Sequence, residues 1–157
     1  MESIIRDKNL AGQGMDKINW VKEHMPVLNV LNAELSKTKP LAGRKLVITM
    51  HLEAKTAYLG MVLKNAGASL AVTGSNPLST QDDVAAALAS QGVGVFAWYN
   101  TTPEEYDRFL HKALDTAPDI IIDDGGDLVS LLHGERSELA ANILGGSEET
   151  TTGVHRL

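Results

Sequence analysis

Four short apolar runs, separated by helical patterns, constrain this chain more than any other feature of its sequence. The runs cover residues 45–50, 69–73, 94–98 and 119–123. Parallel strands need crossover connections of about a dozen or more residues, usually a helix, and the intervals between the runs provide that length. The sequence therefore predicts an α/β fold with a doubly wound parallel sheet, in a flavodoxin-like or Rossmann-like three-layer domain.

Two helices are expected before the sheet. Residues 15–23 form the first, and the spacing of Leu28, Leu31 and Leu35 predicts the second. Pro26 stands between them and suits the first turn of the second helix. Two leading helices should therefore pack against the sheet that follows.

The composition fits one domain over residues 1–157. Of its 157 residues, 43% are hydrophobic, which is enough for a single core, and both tryptophans are expected inside it. The formal net charge of -6, without a basic stripe, excludes nucleic acid and anionic membrane surfaces as partners. The absence of cysteine excludes a disulfide framework and a thiolate metal site, and is typical of a cytoplasmic protein.

The segment after the first predicted strand contains the first candidate site. In parallel sheets, ligands bind outside the carboxyl ends of the strands, and His51, Glu53, Lys55 and Thr56 lie there within one turn. A histidine, an acid and a base this close together are able to bind a polar heterocycle and move a proton. A structural interpretation also fits, in which Glu53 favours a helix start and His51 hydrogen-bonds a loop.

A polar loop containing Asn76 follows the second predicted strand. Ser79 or Thr80 is predicted to cap the next helix, so a turn with an N-cap explains this segment without a function. Taken alone, the loop favours that structural interpretation.

Three carboxylates, Asp123, Asp124 and Asp127, follow the fourth predicted strand. Grouped carboxylates raise the pKa of one another, which makes them candidate acid–base groups. Capping explains Asp127 alone but not the other two acids. A Mg²⁺ site is an alternative because carboxylates suit that ion, although no phosphate cradle accompanies them.

The last polar segment, residues 145–153, is dense in hydroxyls and acids and has no apolar periodicity. We expect it to face a polar partner. A capped helix would explain its glutamates, but three successive threonines are a poor helix start.

Together these segments resemble the N-terminal substrate-binding part of the S-adenosylhomocysteine hydrolase family. The similar motifs keep their order over nearly the whole chain: Met-Pro-Val-Leu at 25–28, the histidine turn at 51, Asn76 with Ser-Thr-Gln-Asp at 79–82, Val-Phe-Ala-Trp at 95–98, Asp-Asp-Gly-Gly-Asp-Leu at 123–128 and Ser-Glu-Glu-Thr-Thr-Thr-Gly-Val-His at 147–155. Motifs of this length are far more specific than a lone glycine pattern.

The resemblance implies a hydrolase that cleaves a nucleoside–homocysteine thioether, with NAD oxidising the ribose 3′-hydroxyl before homocysteine is eliminated. It implies acid–base roles for His51 and Asp124 and no catalytic metal. It also implies a homotetramer as the working assembly. The implied substrate contacts are Glu53, Lys55, Thr56, Asn76, Asp127 and Glu149, and the implied NAD contacts are Thr150, Thr151 and Thr152.

Positions 53 and 55 depart from the common branch of the family, which has threonine and glutamate there. Glu53 and Lys55 are similar to the branch found in archaea and some thermophilic bacteria, which includes hydrolases of S-inosylhomocysteine. A glutamate accepts from the exocyclic amine of adenine, whereas an ammonium only donates and suits O6 of hypoxanthine. The base is therefore open between adenine and hypoxanthine.

No Gly-x-Gly-x-x-Gly motif occurs in the 157 residues, so this chain alone is not expected to hold NAD. The leading hypothesis is a partial enzyme that lacks the NAD-binding domain and is inactive by itself. The alternative is a stand-alone nucleoside-binding or interaction module without catalysis.

Overall fold

Five strands, all paired in parallel, form the sheet at the centre of the molecule. The computed structural model describes residues 1–157. The strands are β1 (Lys45–Met50), β2 (Ser69–Gly74), β3 (Gly94–Phe96), β4 (Ile120–Asp123) and β5 (Gly145–Glu148). Their spatial order is β3-β2-β1-β4-β5, so the chain winds from β1 to one edge and then from β4 to the other. This confirms the predicted doubly wound α/β fold.

Eight helices connect and cover the strands. They are α1 (Ala11–Glu23), α2 (Pro26–Thr38), α3 (Ala54–Asn65), α4 (Asp82–Ser90), α5 (Pro103–Leu114), α6 (Asp127–His133), α7 (Ser137–Ala140) and α8 (Thr151–Arg156). The two leading helices are present as predicted, with Pro26 in the first turn of α2. None of the eight is both long enough and apolar enough to cross a bilayer.

The sheet buries apolar side chains on both faces because successive residues of a strand point to opposite sides. Leu46 and Ile48 of β1 pack in a cluster of 19 buried residues that includes residues of α1, α3 and α4. Val47, between them, packs in a second cluster of 10 buried residues with α5 and α6. The molecule therefore has the expected three layers.

The backbone of helix α1 lies in close contact with the start of helix α4. This contact helps to position the loop before α4. A Cβ atom at Gly14 would lie 1.9 Å from the backbone oxygen of Asp83, so only glycine fits there. Lys17, one turn further along α1, forms an ion pair with Asp83 at 2.7 Å. The start of α4 is thus fixed against the leading helix.

The last strand and the last helix were not predicted. Strand β5 pairs with β4 from Gly145 to Glu148, but its sequence, Gly-Gly-Ser-Glu, has no apolar alternation, because no residue of this edge strand is buried. The threonine run does start a helix, because Thr150 stands outside it as the N-cap and accepts a hydrogen bond from Gly153 N at 2.8 Å. Only two threonines therefore adopt helical geometry.

Two smaller expectations were wrong. Trp20 is 62% exposed and stacks on the ring of His24, because α1 turns Ile18 and Val21 towards the core instead. Neither Ser79 nor Thr80 caps α4, which begins after Gln81 without a side-chain cap. The other tryptophan, Trp98, is half-buried against Phe109.

Candidate active site

A cavity of about 720 Å³ opens at the carboxyl end of the sheet, where β1 and β4 lie side by side. Its volume is within the usual range for small-molecule sites. Met25, Leu28, Met50 and Leu59 form its apolar wall. Its polar lining consists of His51, Glu53, Lys55, Thr56, Ser79, Gln81, Asp124 and Glu149. Six of the predicted site residues therefore share one cavity.

His51 and Asp124 are neighbours in the lining of this cavity. His51 follows β1 and Asp124 follows β4, so the pairing of these strands brings them together. His51 Nε2 lies 3.7 Å from Asp124 Oδ2, with the histidine side chain 53% exposed and the aspartate 7% exposed. Ser75 Oγ donates to the same carboxylate oxygen at 2.7 Å, which fixes its orientation. An open imidazole thus lies beside a sheltered carboxylate.

Asp123 lies behind the cavity and organises the loop that carries Asp124. Its carboxylate accepts hydrogen bonds from Asp124 N at 3.0 Å and Val129 N at 3.1 Å, and its side chain is buried. Burial raises the pKa of Asp123 to about 6, although the two backbone N–H groups act in the opposite direction. Gly125 and Gly126, with φ angles of 107° and 79°, provide the left-handed turn that follows.

Asp127 also points away from the cavity. Tyr106 Oη donates to Asp127 Oδ2 at 2.8 Å and contacts Ser75 O at 3.2 Å, while Arg156 donates to Asp127 Oδ1 at 2.9 Å. Burial, together with this hydrogen bond, raises the pKa of Tyr106 well above its usual value. The predicted substrate contact of Asp127 therefore stays a prediction, since its observed role is to tie the loop to α5 and α8.

The magnesium alternative has no support in this geometry. Asp123, Asp124 and Asp127 are bonded to three different sets of partners, and no group of three histidine or carboxylate side chains suited to a metal ion occurs. Their carboxylates therefore do not converge on one position for an ion.

Glu148 is a residue that the sequence analysis missed. Its Oε1 accepts from Gly125 N at 2.8 Å, Thr150 N at 2.9 Å and Thr150 Oγ1 at 2.8 Å. Burial acts to raise the pKa of Glu148, but these hydrogen bonds outweigh it and hold the pKa below its usual range. Glu148 therefore joins the loops after β4 and β5. The role of Glu148 could not be predicted, because β5 was not recognised as a strand from its sequence.

Glu53 and Lys55 stand at the entrance to α3. Glu53 is the N-cap, and its Oε1 accepts from Lys55 N at 3.0 Å and from Thr56 N at 3.2 Å. The structural interpretation of Glu53 is therefore correct, yet the residue also lines the cavity. Neither Glu53 nor Lys55 forms an ion pair, so Oε2 and Nζ are left for a ligand.

Asn76 and the threonine run lie outside the cavity. Asn76 Oδ1 accepts from Leu78 N at 2.9 Å and closes its own turn. Thr150 is committed as the cap of α8, whereas Thr151 and Thr152 are exposed. Their predicted contacts with substrate and cofactor stay predictions.

Comparison with known proteins places the chain. A family model described as S-adenosyl-L-homocysteine hydrolase matches residues 2–141. The chain is 55% identical over 153 residues to a protein of Methanocaldococcus jannaschii named S-inosyl-L-homocysteine hydrolase, covering 98% of this chain and 37% of that protein.

Two relatives carry the other name. The chain is 54% identical over 153 residues to the adenosylhomocysteinase of Pyrococcus abyssi and 54% identical over 144 residues to that of Thermotoga maritima, covering 98% and 92% of this chain. It spans 36% of each of these two proteins, so it corresponds to little more than a third of its relatives. The family match covers most of the chain, and the chain therefore belongs to the S-adenosyl-L-homocysteine hydrolase family.

Proposed function

We propose that this chain is the substrate-binding part of a hydrolase that cleaves a nucleoside–homocysteine thioether into homocysteine and the free nucleoside. The observation that carries the proposal is the meeting of the His51–Asp124 pair with Glu53, Lys55 and Glu149 in one cavity. Family membership supports it, and the names of the relatives supply the two substrate classes, S-adenosyl and S-inosyl homocysteine.

In this proposal His51 and Asp124 move the proton at the departing sulfur. His51 is open to the cavity, and imidazole is the side chain best suited to act as a general acid or base near neutral pH. Asp124 is sheltered and held by Ser75, so it orients and balances the charge of the imidazole. Glu149, exposed at the cavity wall, binds ribose hydroxyls through its carboxylate.

The chain supplies only a small part of the NAD contacts. Thr151 and Thr152 are exposed beside the cavity loops and fit hydroxyl contacts with a dinucleotide, whereas Thr150 Oγ1 is occupied by Glu148 and Gly153. NAD, when bound, would accept a hydride from the ribose 3′-carbon. The chain spans little more than a third of its relatives, and in this proposal the rest of the NAD pocket lies in the part of those proteins that it does not match.

The free groups at the entrance to α3 favour hypoxanthine as the base. Hypoxanthine presents an acceptor at O6 and a donor at N1–H. Lys55 Nζ is a donor and Glu53 Oε2 is an acceptor, which matches this edge without changing the cap of α3. The apolar wall of the cavity accommodates the faces of the purine.

Titration calorimetry tests ligand binding by the 157-residue chain. Inosine and S-inosylhomocysteine should bind more tightly than adenosine and S-adenosylhomocysteine, and the double change Lys55→Glu with Glu53→Thr should shift the preference towards adenosine. No binding of any of the four at millimolar concentration would contradict the proposal. An unchanged preference in the double variant would refute the base assignment alone.

Turnover tests catalysis once the chain is joined to the remaining part of a relative such as the Methanocaldococcus jannaschii protein. His51→Ala and Asp124→Asn should each abolish elimination of homocysteine. His111→Ala is the matched control, because His111 contacts Asp107 and Glu135 at the surface, away from the cavity. Tight nucleoside binding without turnover in the joined protein would favour the non-catalytic binding module instead.

A further inference from the structure

The two nitrogens of the His51 ring have different neighbours. Nδ1 lies 2.6 Å from Ser79 Oγ, and Nε2 lies 3.7 Å from Asp124 Oδ2. A neutral imidazole carries one proton, and the nitrogen without it is the one that accepts a proton from a substrate. The position of that single proton therefore decides which side of the ring is reactive.

The hydrogen bonds of Ser79 decide between the two positions. Its Oγ lies 3.0 Å from the carbonyl oxygen of Asn76, in a geometry suited to donating its only proton there, while Ser79 N donates to the same carbonyl at 3.1 Å. A hydroxyl that has given away its proton offers only lone pairs, so Ser79 Oγ accepts from His51. This arrangement favours the hydrogen on Nδ1.

The Asp124 side of the ring agrees with this assignment. A separation of 3.7 Å is too long for a hydrogen bond from Nε2–H, and Asp124 Oδ2 already accepts from Ser75 Oγ at 2.7 Å. A neutral ring protonated at Nε2 would have no protein acceptor at bonding distance. With the proton on Nδ1, Nδ1 donates to Ser79 Oγ, and Nε2 stays unprotonated at the cavity.

We propose that Ser79 is a positioning residue that holds neutral His51 in its Nδ1–H tautomer, so that Nε2 is the nitrogen that gives and takes the proton in the cavity. Nε2 is also the nitrogen nearer Asp124, so a ring protonated there gains a neighbouring carboxylate. The catalytic meaning of this arrangement rests on the proposed function, whereas the tautomer itself does not.

The competing arrangement is a relay in which Ser79 donates to Nδ1 and Nε2–H points to Asp124, as in hydrolases with an activated serine. It would make Ser79 a nucleophile. It requires Ser79 to give up its bond to the Asn76 carbonyl and His51 to approach Asp124. The test below separates these two arrangements.

The test is long-range ¹H–¹⁵N NMR of the histidine rings in the ligand-free 157-residue chain, at a pH where imidazole is neutral. The His51 signals are assigned by their loss in His51→Gln. The wild-type ring should show Nδ1 protonated and Nε2 unprotonated. The opposite pattern in the wild-type chain overturns the proposal whatever the variants do.

Three variants show whether the hydroxyl is the cause. Ser79→Ala should shift the tautomer ratio several-fold towards Nε2–H, and Ser79→Thr should restore the wild-type ratio. Thr80→Val is the matched control, because Thr80 Oγ1 donates to the same Asn76 carbonyl at 3.3 Å without contacting His51, so its ratio should not change. An unchanged ratio in Ser79→Ala overturns the role of Ser79. None of these spectra needs a substrate, so their failure is distinguishable from a failure of the calorimetric test.

Discussion

The loops after β1 and β4 meet at one cavity but are held in different ways. After β4, the acids are bonded to other parts of the protein, with Asp123 and Asp127 both bonded away from the cavity. After β1, Lys55 Nζ and Glu53 Oε2 have no protein partner and the His51 ring is more than half exposed. The difference indicates that the protein fixes the orientation of Asp124 and leaves the cavity groups of Glu53 and Lys55 free to bond a ligand.

The largest expected effect on stability lies at Asp123. Its pKa of about 6, against an ordinary 3.8, means that the fold favours the protonated form by about 3 kcal/mol. That stabilisation is fully present below about pH 4 and is lost as the pH rises through about 6. The wild-type chain should therefore lose most of this stabilisation, about 2.5 kcal/mol, relative to Asp123→Asn between pH 4 and pH 7, as measured by urea denaturation.

Asp16→Asn provides the control for that comparison. Asp16 is exposed on α1, so its variant should follow the wild-type chain at every pH. A stability difference between the wild-type chain and Asp123→Asn that stays constant from pH 4 to pH 7 would mean that Asp123 does not titrate as described.

Glu148→Ala should have the next largest effect. It removes the acceptor of three hydrogen bonds, and we expect a loss of about 2–3 kcal/mol in the free energy of unfolding. Hydrogen exchange should become faster at Gly125 N and Thr150 N. Glu149→Ala is the matched control, since this exposed neighbour should change stability by less than about 0.5 kcal/mol. Equal losses in the two variants would contradict the bracing role of Glu148.

Tyr106→Phe should cost about 1 kcal/mol, because it removes one hydroxyl that bonds Asp127 and contacts Ser75 O. Chemical denaturation at neutral pH measures the loss. Tyr99→Phe, at a tyrosine that is 49% exposed, should leave the midpoint unchanged. If both variants denature at the wild-type midpoint, the hydroxyl does not brace the loop.

The smallest effect on stability is expected on the open side of the cavity. Lys55→Met should change the free energy of unfolding by less than about 0.5 kcal/mol. It should nevertheless weaken inosine binding by about ten- to hundredfold, because a charge-assisted hydrogen bond contributes about 1.5–3 kcal/mol. Lys37→Met, on the exposed surface of α2, should alter neither property. A large loss of stability in Lys55→Met would show that this side is braced as well.

Strands β1 to β4 were predictable because each is an apolar run whose side chains are buried on both faces. The rule that ligands bind at the carboxyl ends of strands also placed His51, Glu53 and Asp124 in one cavity. Strand β5 was not predictable, because backbone pairing with β4 forms it and none of its side chains is buried.

The residues that hold the loops after β4 and β5 could not be predicted for a different reason. Glu148, Tyr106 and Ser75 act through contacts that span 21 to 49 positions of sequence, and no local pattern reports such contacts. The family resemblance implied a substrate contact for Asp127, which stays a prediction, and its side chain bonds Tyr106 and Arg156 in this structure. Local spacing predicted the residue types at the site, and tertiary contacts decided which of them face the cavity.

The pairing of β1 with β4 has a consequence for the order in which the molecule assembles. All 19 buried residues of the larger core lie between Ile18 and Ala97, so this core is available once the chain has been synthesised to that point. Asp124 reaches His51 only after Ile120 pairs with Leu46, a contact that closes a loop of more than seventy residues. During synthesis, the cavity is therefore completed only after every residue of the larger core has been made, because its lining includes Asp124 and Glu149.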